Sequence, residues 1–214
     1  MAVFAEAQSA HQKRVLNTGS GPFNPLKLHP VFRTGGWHEV RLDIDARLNP
    51  DLVGSVFDMR ALVPDASFDA IWSSHNVEHL HTHEVLPAFR ELHRVLKPDG
   101  FALITCPDLQ AIAGLIAEGK AEATIYTAPA GPITTLDMLY GHSQSIASGS
   151  VYMAHNTGFT ADRMARVCLD AGFAEVRTTK GGFFDLWALA LMPEARGERL
   201  EAMFAGTEQR VLTQ

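Results

Sequence analysis

A short apolar run, Arg14-Val15-Leu16, leads into Asn17-Thr18-Gly19-Ser20-Gly21. This reads as a strand delivered into a tight glycine turn. With no side chains at Gly19 and Gly21, a ligand can approach the backbone closely. A dinucleotide fingerprint would carry a further glycine three positions on, where this chain has Asn24. Pro22 and Pro25 also disturb the helix start that such a fingerprint needs. The turn therefore argues for a ligand-binding α/β edge and against a nicotinamide cofactor.

The remaining pattern agrees with an α/β fold. Val40–Ile44, Leu52–Phe57 and Phe68–Trp72 read as strands two to four. Residues 84–96 set Val85, Phe89, Leu92 and Leu96 at helical spacing, and Lys97-Pro98-Asp99-Gly100 stops that helix. Phe101–Thr105 is almost continuously apolar, as a strand covered on both faces should be. Residues 107–119 are expected to be helical. Thr160 is placed to cap a helix carrying Met164, Val167, Cys168 and Ala171 and ending at Gly172. Ala174–Thr178 and Phe183–Leu191 read as the last strands, and the tail after Pro193 as a charged helix. Residues 120–158 show no clean period, apart from a short helix over 133–140. A stretch of that kind suits a functional lid.

Composition narrows the function classes. A chain of 214 residues, 46% hydrophobic and 20% charged, can form one α/β domain with a sizeable core. A net charge of −6 disfavours a general nucleic-acid binder, so no nucleic-acid partner is expected. Two cysteines in apolar runs, Cys106 and Cys168, make no disulfide framework and read as buried thiols. Met1-Ala2-Val3-Phe4-Ala5-Glu6 lacks the basic start of a secretion signal, and no stretch reaches the length of a membrane span. A cytoplasmic location is expected.

Two acids could contact a nucleoside. Asp43 closes the second strand about 20 residues past the glycine turn, where an acid can accept from ribose hydroxyls. Asp45 would share its face in a strand. Asp58-Met59 follows the third strand; a carboxylate can accept from a purine amine, and a thioether can pack on the ring.

Taken in order, Leu16-Asn17-Thr18-Gly19-Ser20-Gly21, Leu42-Asp43-Ile44-Asp45, Phe57-Asp58-Met59, Ser67-Phe68-Asp69-Ala70-Ile71-Trp72-Ser73-Ser74 and Arg94-Val95-Leu96-Lys97-Pro98-Asp99-Gly100 resemble the class I S-adenosylmethionine-dependent methyltransferases, in particular a bacterial type 11-like group. The resemblance covers about residues 14–108, with a weaker echo at Gly158-Phe159-Thr160 and Ala171-Gly172-Phe173. It implies a Rossmann-like, seven-stranded, mostly parallel sheet with helices on both faces. The first strand would lie near the middle, and the last would run antiparallel between two others. It implies S-adenosylmethionine as cofactor, with Gly19 and Gly21 along its methionine part, Asp43 on the ribose, Asp58 on the adenine amine and the Met59 backbone on the ring. The acceptor is expected to be a small molecule or glycan-linked group, methylated on O or N. Two departures stand out: Asn17 replaces the usual acid near the end of the first strand, and the loop after Gly21 is long and proline-rich. They motivate a rival reading, a cofactor-binding protein without turnover.

Ser74-His75-Asn76-Val77-Glu78-His79-Leu80-His81-Thr82-His83 is the densest histidine run. His75-x-x-Glu78-His79 matches a zinc-peptidase pattern that belongs on a helix, whereas here it follows a strand. In proteins resembling this one, Glu-His at this point mainly supports the cofactor loop, and Ser74 and His75 are counted with the cofactor shell. Some relatives hold a divalent metal here through Glu-x-x-Glu-His, but His75 stands at the first Glu. No metal is expected. Residues 121–157 are expected to cover the transfer site, with Tyr140, His142 and His155 facing an acceptor. His142, whose neighbours Gly141 and Ser143 leave its ring room to enter a cleft, is the candidate general base. One domain over 1–214 is expected.

Overall fold

The computed structural model describes residues 12–214, so Met1–Glu6, considered above for a secretion signal, lies outside the described residues. In chain order the strands are β1 (Lys13–Thr18), β2 (Trp37–Asp43), β3 (Leu52–Val53), β4 (Phe68–Ser74), β5 (Leu96–Pro107), β6 (Thr124–Ala128), β7 (Gly131–Thr134), β8 (Glu175–Lys180) and β9 (Asp185–Leu191). The α-helices are α1 (Thr82–Val95), α2 (Leu109–Ala117), α3 (Thr135–Tyr140), α4 (Ser143–Ala147), α5 (Ala161–Ala171) and α6 (Gly197–Phe204). Seven strands form one sheet in the order β3-β2-β1-β4-β5-β9-β8, and β6 and β7 form a separate hairpin. The pairings from β3 to β5 are parallel, while β9 is antiparallel to both neighbours. The antiparallel strand thus lies between two others, as the motif order implied.

Helices cover both faces. On one, α1 turns Val85, Ala88, Phe89, Leu92 and Val95 into the sheet, beside Met164, Cys168 and Ala171 of α5. On the other, Phe32, Phe101, Leu189, Leu200 and Phe204 form a second core. Pro87 sits inside α1 on its exposed side, where water can meet the carbonyl left without a donor. Burial drives both thiols up, Cys168 to about 12, and neither forms a disulfide.

Three local readings shift. The third strand ends at Val53 rather than Phe57, because Leu62 packs where a Gly54 side chain would stand and the chain turns there. Lys97–Gly100 belongs to β5: Leu96 pairs with Phe68, and regular pairing resumes at Phe101 after an irregularity. Residues 121–157 are largely regular, holding the hairpin, α3 and α4. Ile133 and Met138 pack there on Ile112 of α2, with Ile125, Tyr126 and Leu139 at the margin. The strands of this hairpin are too short and too half-exposed to print a period on the sequence.

Among the described residues no helix is long and apolar enough to cross a membrane. The carboxyl ends of β1, β2, β4 and β5 lie along one sheet edge. Because β9 is antiparallel and Pro107 pairs with Asp185, the start of β9 joins them.

Candidate functional site

At one end of this edge the glycine turn continues the sheet. Ser20 N–H donates to the Leu42 carbonyl at 3.1 Å, and Gly21 N–H donates to Asp43 Oδ2 at 2.8 Å. Asp43 Oδ1 accepts from Asp45 N–H at 2.9 Å. Each Asp43 oxygen keeps a second acceptor position. Asp45 is not on the strand face: it caps a short 3-10 turn and pairs with Arg47 at 2.7 Å. Gly19 and Gly21 both have positive φ, 62° and 63°, which suits glycine. Their open sides differ. A Cβ at Gly19 would fall 2.3 Å from Asn76 Oδ1, so that space belongs to Asn76. At Gly21 the nearest atom would be Lys27 Nζ at 3.7 Å. Lys27 is exposed and makes no ion pair among the described residues. Asn17, where an acid was expected, donates to Glu39 at 2.6 Å.

The Asp58-Met59 turn divides. Asp58 is exposed, whereas the Met59 side chain is fully buried in the main core. Its thioether faces the core and is not free to pack on a ring. The Met59 N–H donates to Glu91 Oε2 at 2.9 Å. Glu91 is buried and also takes Arg94 through Nε and Nη2, both at 2.7 Å. Burial pushes the Glu91 pKa up, but Arg94 and the Met59 N–H outweigh it and hold it below the ordinary glutamate value. The sequence carried a sign of this, a charged Glu91-x-x-Arg94 pair on the apolar face of α1.

At the other end, a cavity of about 230 Å³ is lined by His75, Tyr126, His142, Phe183 and Asp185 among others. His75 follows β4 with φ 48°, and its N–H is held by the Thr105 carbonyl at 2.9 Å. Its ring lies between two carboxylates, 3.4 Å from Glu78 Oε1 and 3.6 Å from Asp185 Oδ1. Burial opposes its charge, but Glu78 and Asp185 prevail and the His75 pKa is raised. Burial pushes Asp185 up to about 6, with Glu78 adding to the rise and His75 opposing it. His142 reaches the cavity, its Nδ1 2.7 Å from Ser145 Oγ. The reason differs from the one expected. Gly141 leaves room for the Met153 carbonyl, 2.0 Å from where its Cβ would be, and not for the histidine ring. Tyr140 is exposed and lines a neighbouring cavity with His155.

Residues 33–104 match the model of the methyltransferase domain family. Over that third of the chain it is similar to the S-adenosylmethionine-dependent methyltransferases. The fold agrees. The CMeT domain of a citrinin polyketide synthase superposes with a TM-score of 0.57 at 16% identity, over 89% of this chain and 48% of that one. The protein thus spans about half the length of that chain. A SAM-dependent methyltransferase from Archaeoglobus fulgidus gives 0.54 at 12% identity, over 84% and 86% of the two chains. A Burkholderia thailandensis 1,6-didemethyltoxoflavin-N1-methyltransferase, with 1,6-didemethyltoxoflavin and S-adenosylhomocysteine bound, gives 0.50 at 15%, over 85% and 72%. A sequence search of the curated proteins finds no match.

The residues at this edge suit the chemistry of S-adenosylmethionine. The open side of Gly21, the spare acceptor positions of Asp43 and the unpaired Lys27 ammonium meet the needs of a methionine chain, a ribose and a carboxylate. The bound cofactor supplies the activated methyl group. Of the residues singled out in the sequence, the fold brings together Gly21 and Asp43, and separately His75 and His142. Tyr126, Asp185, Glu91, Lys27 and Asn76 were missed. Apart from Glu91, none stands in a local pattern that marks it.

Proposed function

We propose that this protein is an S-adenosylmethionine-dependent methyltransferase that transfers the methyl group to an O or N atom of a small-molecule or glycan-linked acceptor, seated in the cavity beside the end of β4. The supporting observation is that cavity itself. It lies on the same sheet edge as the glycine turn and Asp43, and it gathers His75, His142 and Asp185. Its volume, about 230 Å³, suits a small acceptor or the end of a larger one. The Burkholderia thailandensis protein of the same fold has 1,6-didemethyltoxoflavin and S-adenosylhomocysteine bound.

In this reading Gly19 and Gly21 line the methionine part and Lys27 takes its carboxylate. Asp43 accepts from the ribose hydroxyls, and exposed Asp58 meets the adenine amine. The Met59 N–H, already given to Glu91, orders the turn and is not itself free for the ring. Ser74 and His75 border the sulfonium, residues 121–157 cover the acceptor, and His142 takes the acceptor proton. The protein works in the cytoplasm without a nucleic-acid partner.

Calorimetry with S-adenosylmethionine and S-adenosylhomocysteine tests the cofactor half: one site per chain is expected. Methyl transfer from labelled cofactor into pools of small hydroxyl and amine compounds tests the other half. Cofactor binding without transfer to any of them would favour the rival reading, a binding protein without turnover.

A further inference from the structure

We propose that Glu78, His79 and His155 form a divalent-cation site that fastens the 121–157 segment to the end of β4. Glu78 and His79 lie in the short turn after β4, and His155 lies in the segment that returns from α4. Four hydrogen bonds bring them together. The N–H groups of Asn156 and Thr157 donate to the Glu78 carbonyl at 2.9 and 3.1 Å. Asn156 Nδ2 donates to the His79 carbonyl at 2.9 Å, and His79 Nδ1 meets the Ala154 carbonyl at 3.0 Å.

The side chains then stand as ligands do. The His79 contact is to a carbonyl, which only accepts, so Nδ1 carries the proton and Nε2 presents its lone pair. His155 repeats the arrangement, with Nδ1 3.0 Å from the Met138 carbonyl. An imidazole tied through one nitrogen to a carbonyl, with the other bare, is how proteins orient metal-binding histidines. The third donor is the Glu78 carboxylate. The residue is 2% exposed, and neither oxygen has a hydrogen-bond partner. Burying a carboxylate that way is costly unless a cation compensates it. The nearest protein cation, His75, stands only at ion-pair range, 3.4 Å, and is itself half-exposed.

One donor atom from each of the three lies within 4.8 Å of the other two. Tetrahedral ligation at about 2.1 Å would draw them to roughly 3.4 Å. Two imidazoles and one carboxylate suit zinc, iron(II) or cobalt(II) better than magnesium or calcium, which prefer all-oxygen sets. All three residues line the cavity assigned above to the acceptor, so the remaining coordination position opens into it. The metal-free expectation drawn from the sequence rested on the strand before the histidine run and on His75 standing at the first Glu of the relatives' motif. The ligand it lacked, His155, arrives from a distant segment.

The test needs no acceptor. Protein made without a histidine tag is stripped with chelator and titrated with zinc chloride and, separately, cobalt chloride. About one ion per chain, cobalt ligand-field bands and a metal-dependent rise in Tm are expected. Proteolysis within 121–157 should slow when metal is added. His155→Ala and Glu78→Gln should lose the metal, the rise in Tm and the protection together. S-adenosylhomocysteine calorimetry on each variant certifies that it is folded, and keeps failure here distinct from failure of the methyltransferase reading. If folded wild type takes up no stoichiometric metal, then His75 alone compensates Glu78 and the site is refuted. Metal retained by a folded His155→Ala variant would refute the ligand set. Metal bound with unchanged proteolysis would refute the fastening role.

Discussion

The two ends of the sheet edge handle their carboxylates in opposite ways. At the cofactor end, the acids are engaged by the protein itself: Asp43 holds the Gly21 and Asp45 N–H groups, and Glu91 holds the Met59 N–H and the Arg94 fork. The loops that would meet the cofactor are therefore shaped before it arrives, which spares reorganisation on binding. At the acceptor end, Glu78 has no hydrogen bond, and Asp185 is held up at about 6 by burial. One end spends its acids on backbone geometry; the other keeps charge for something that binds. Each prediction below can break that contrast or sharpen it.

The largest effect should come from Glu91→Ala. It would strand the Arg94 guanidinium, leaving Asp65 at 2.6 Å as its acidic partner among the described residues, and orphan the Met59 N–H. Removing one partner of a buried pair costs about 3–5 kcal/mol, measurable by urea unfolding. Because the folded pKa of Glu91 is depressed, its contribution is present above the unfolded carboxylate value and fades as pH falls through the folded one. A loss under about 1 kcal/mol would mean that this acid does not shape the Asp58-Met59 turn.

Next is His142→Ala. As a general base, His142 should be worth about a hundredfold in turnover, with cofactor affinity nearly constant. Its Nδ1 is engaged with Ser145, leaving Nε2 for the cavity. Labelled-methyl transfer to an identified acceptor, set beside S-adenosylhomocysteine calorimetry, separates the two quantities. Unchanged turnover removes His142 from the mechanism. A parallel fall in cofactor affinity would show that the two ends are not independent.

The same contrast explains what the sequence disclosed. The cofactor end is local: a strand, a glycine turn and a strand-end acid each occupy a few consecutive residues, and sheet periodicity brings them to one edge. The acceptor end depends on distant convergence. Nothing near His155 indicates that Asn156 will bond to the turn after β4, and nothing near Asp185 shows that an antiparallel β9 begins beside Pro107. Spacing also leaves facing ambiguous. The Met59 thioether suited a purine ring as well as a core, and only packing against the α1 face decides for the core. Gly141 suited a mobile histidine as well as a close backbone contact, and the Met153 carbonyl decides for the latter.

Asp43→Ala should weaken S-adenosylhomocysteine binding about tenfold or more, since hydrogen bonds to a charged group are worth roughly 1.5–3 kcal/mol. Asp45→Ala is the control. Asp45 pairs with Arg47 outside the strand, so its loss should leave calorimetric affinity unchanged. If Asp45→Ala carries the loss instead, the ribose lies over the 3-10 turn and the register assigned to the cofactor is wrong.

The smallest effect expected is also the most direct probe of the acceptor end. Asp185 has a folded pKa near about 6 against an ordinary value of 3.8, with burial the main cause. Between those values the folded state holds a proton that the unfolded state has released. Stability should therefore fall as pH rises through that window, and the deficit should persist above it. In chelator-treated protein, Asp185→Asn removes the ionisation while keeping the shape. It should match wild type near pH 4 and exceed it by about 1 kcal/mol at pH 7.5, after allowing for the partial exposure of the group. Denaturant unfolding at the two pH values reads the difference. A variant less stable than wild type at pH 7.5 would mean that ionised Asp185 gains more from His75, 3.6 Å away, than burial costs it. The acceptor end would then be as internally compensated as the cofactor end, and the contrast between them would fail where it is now sharpest.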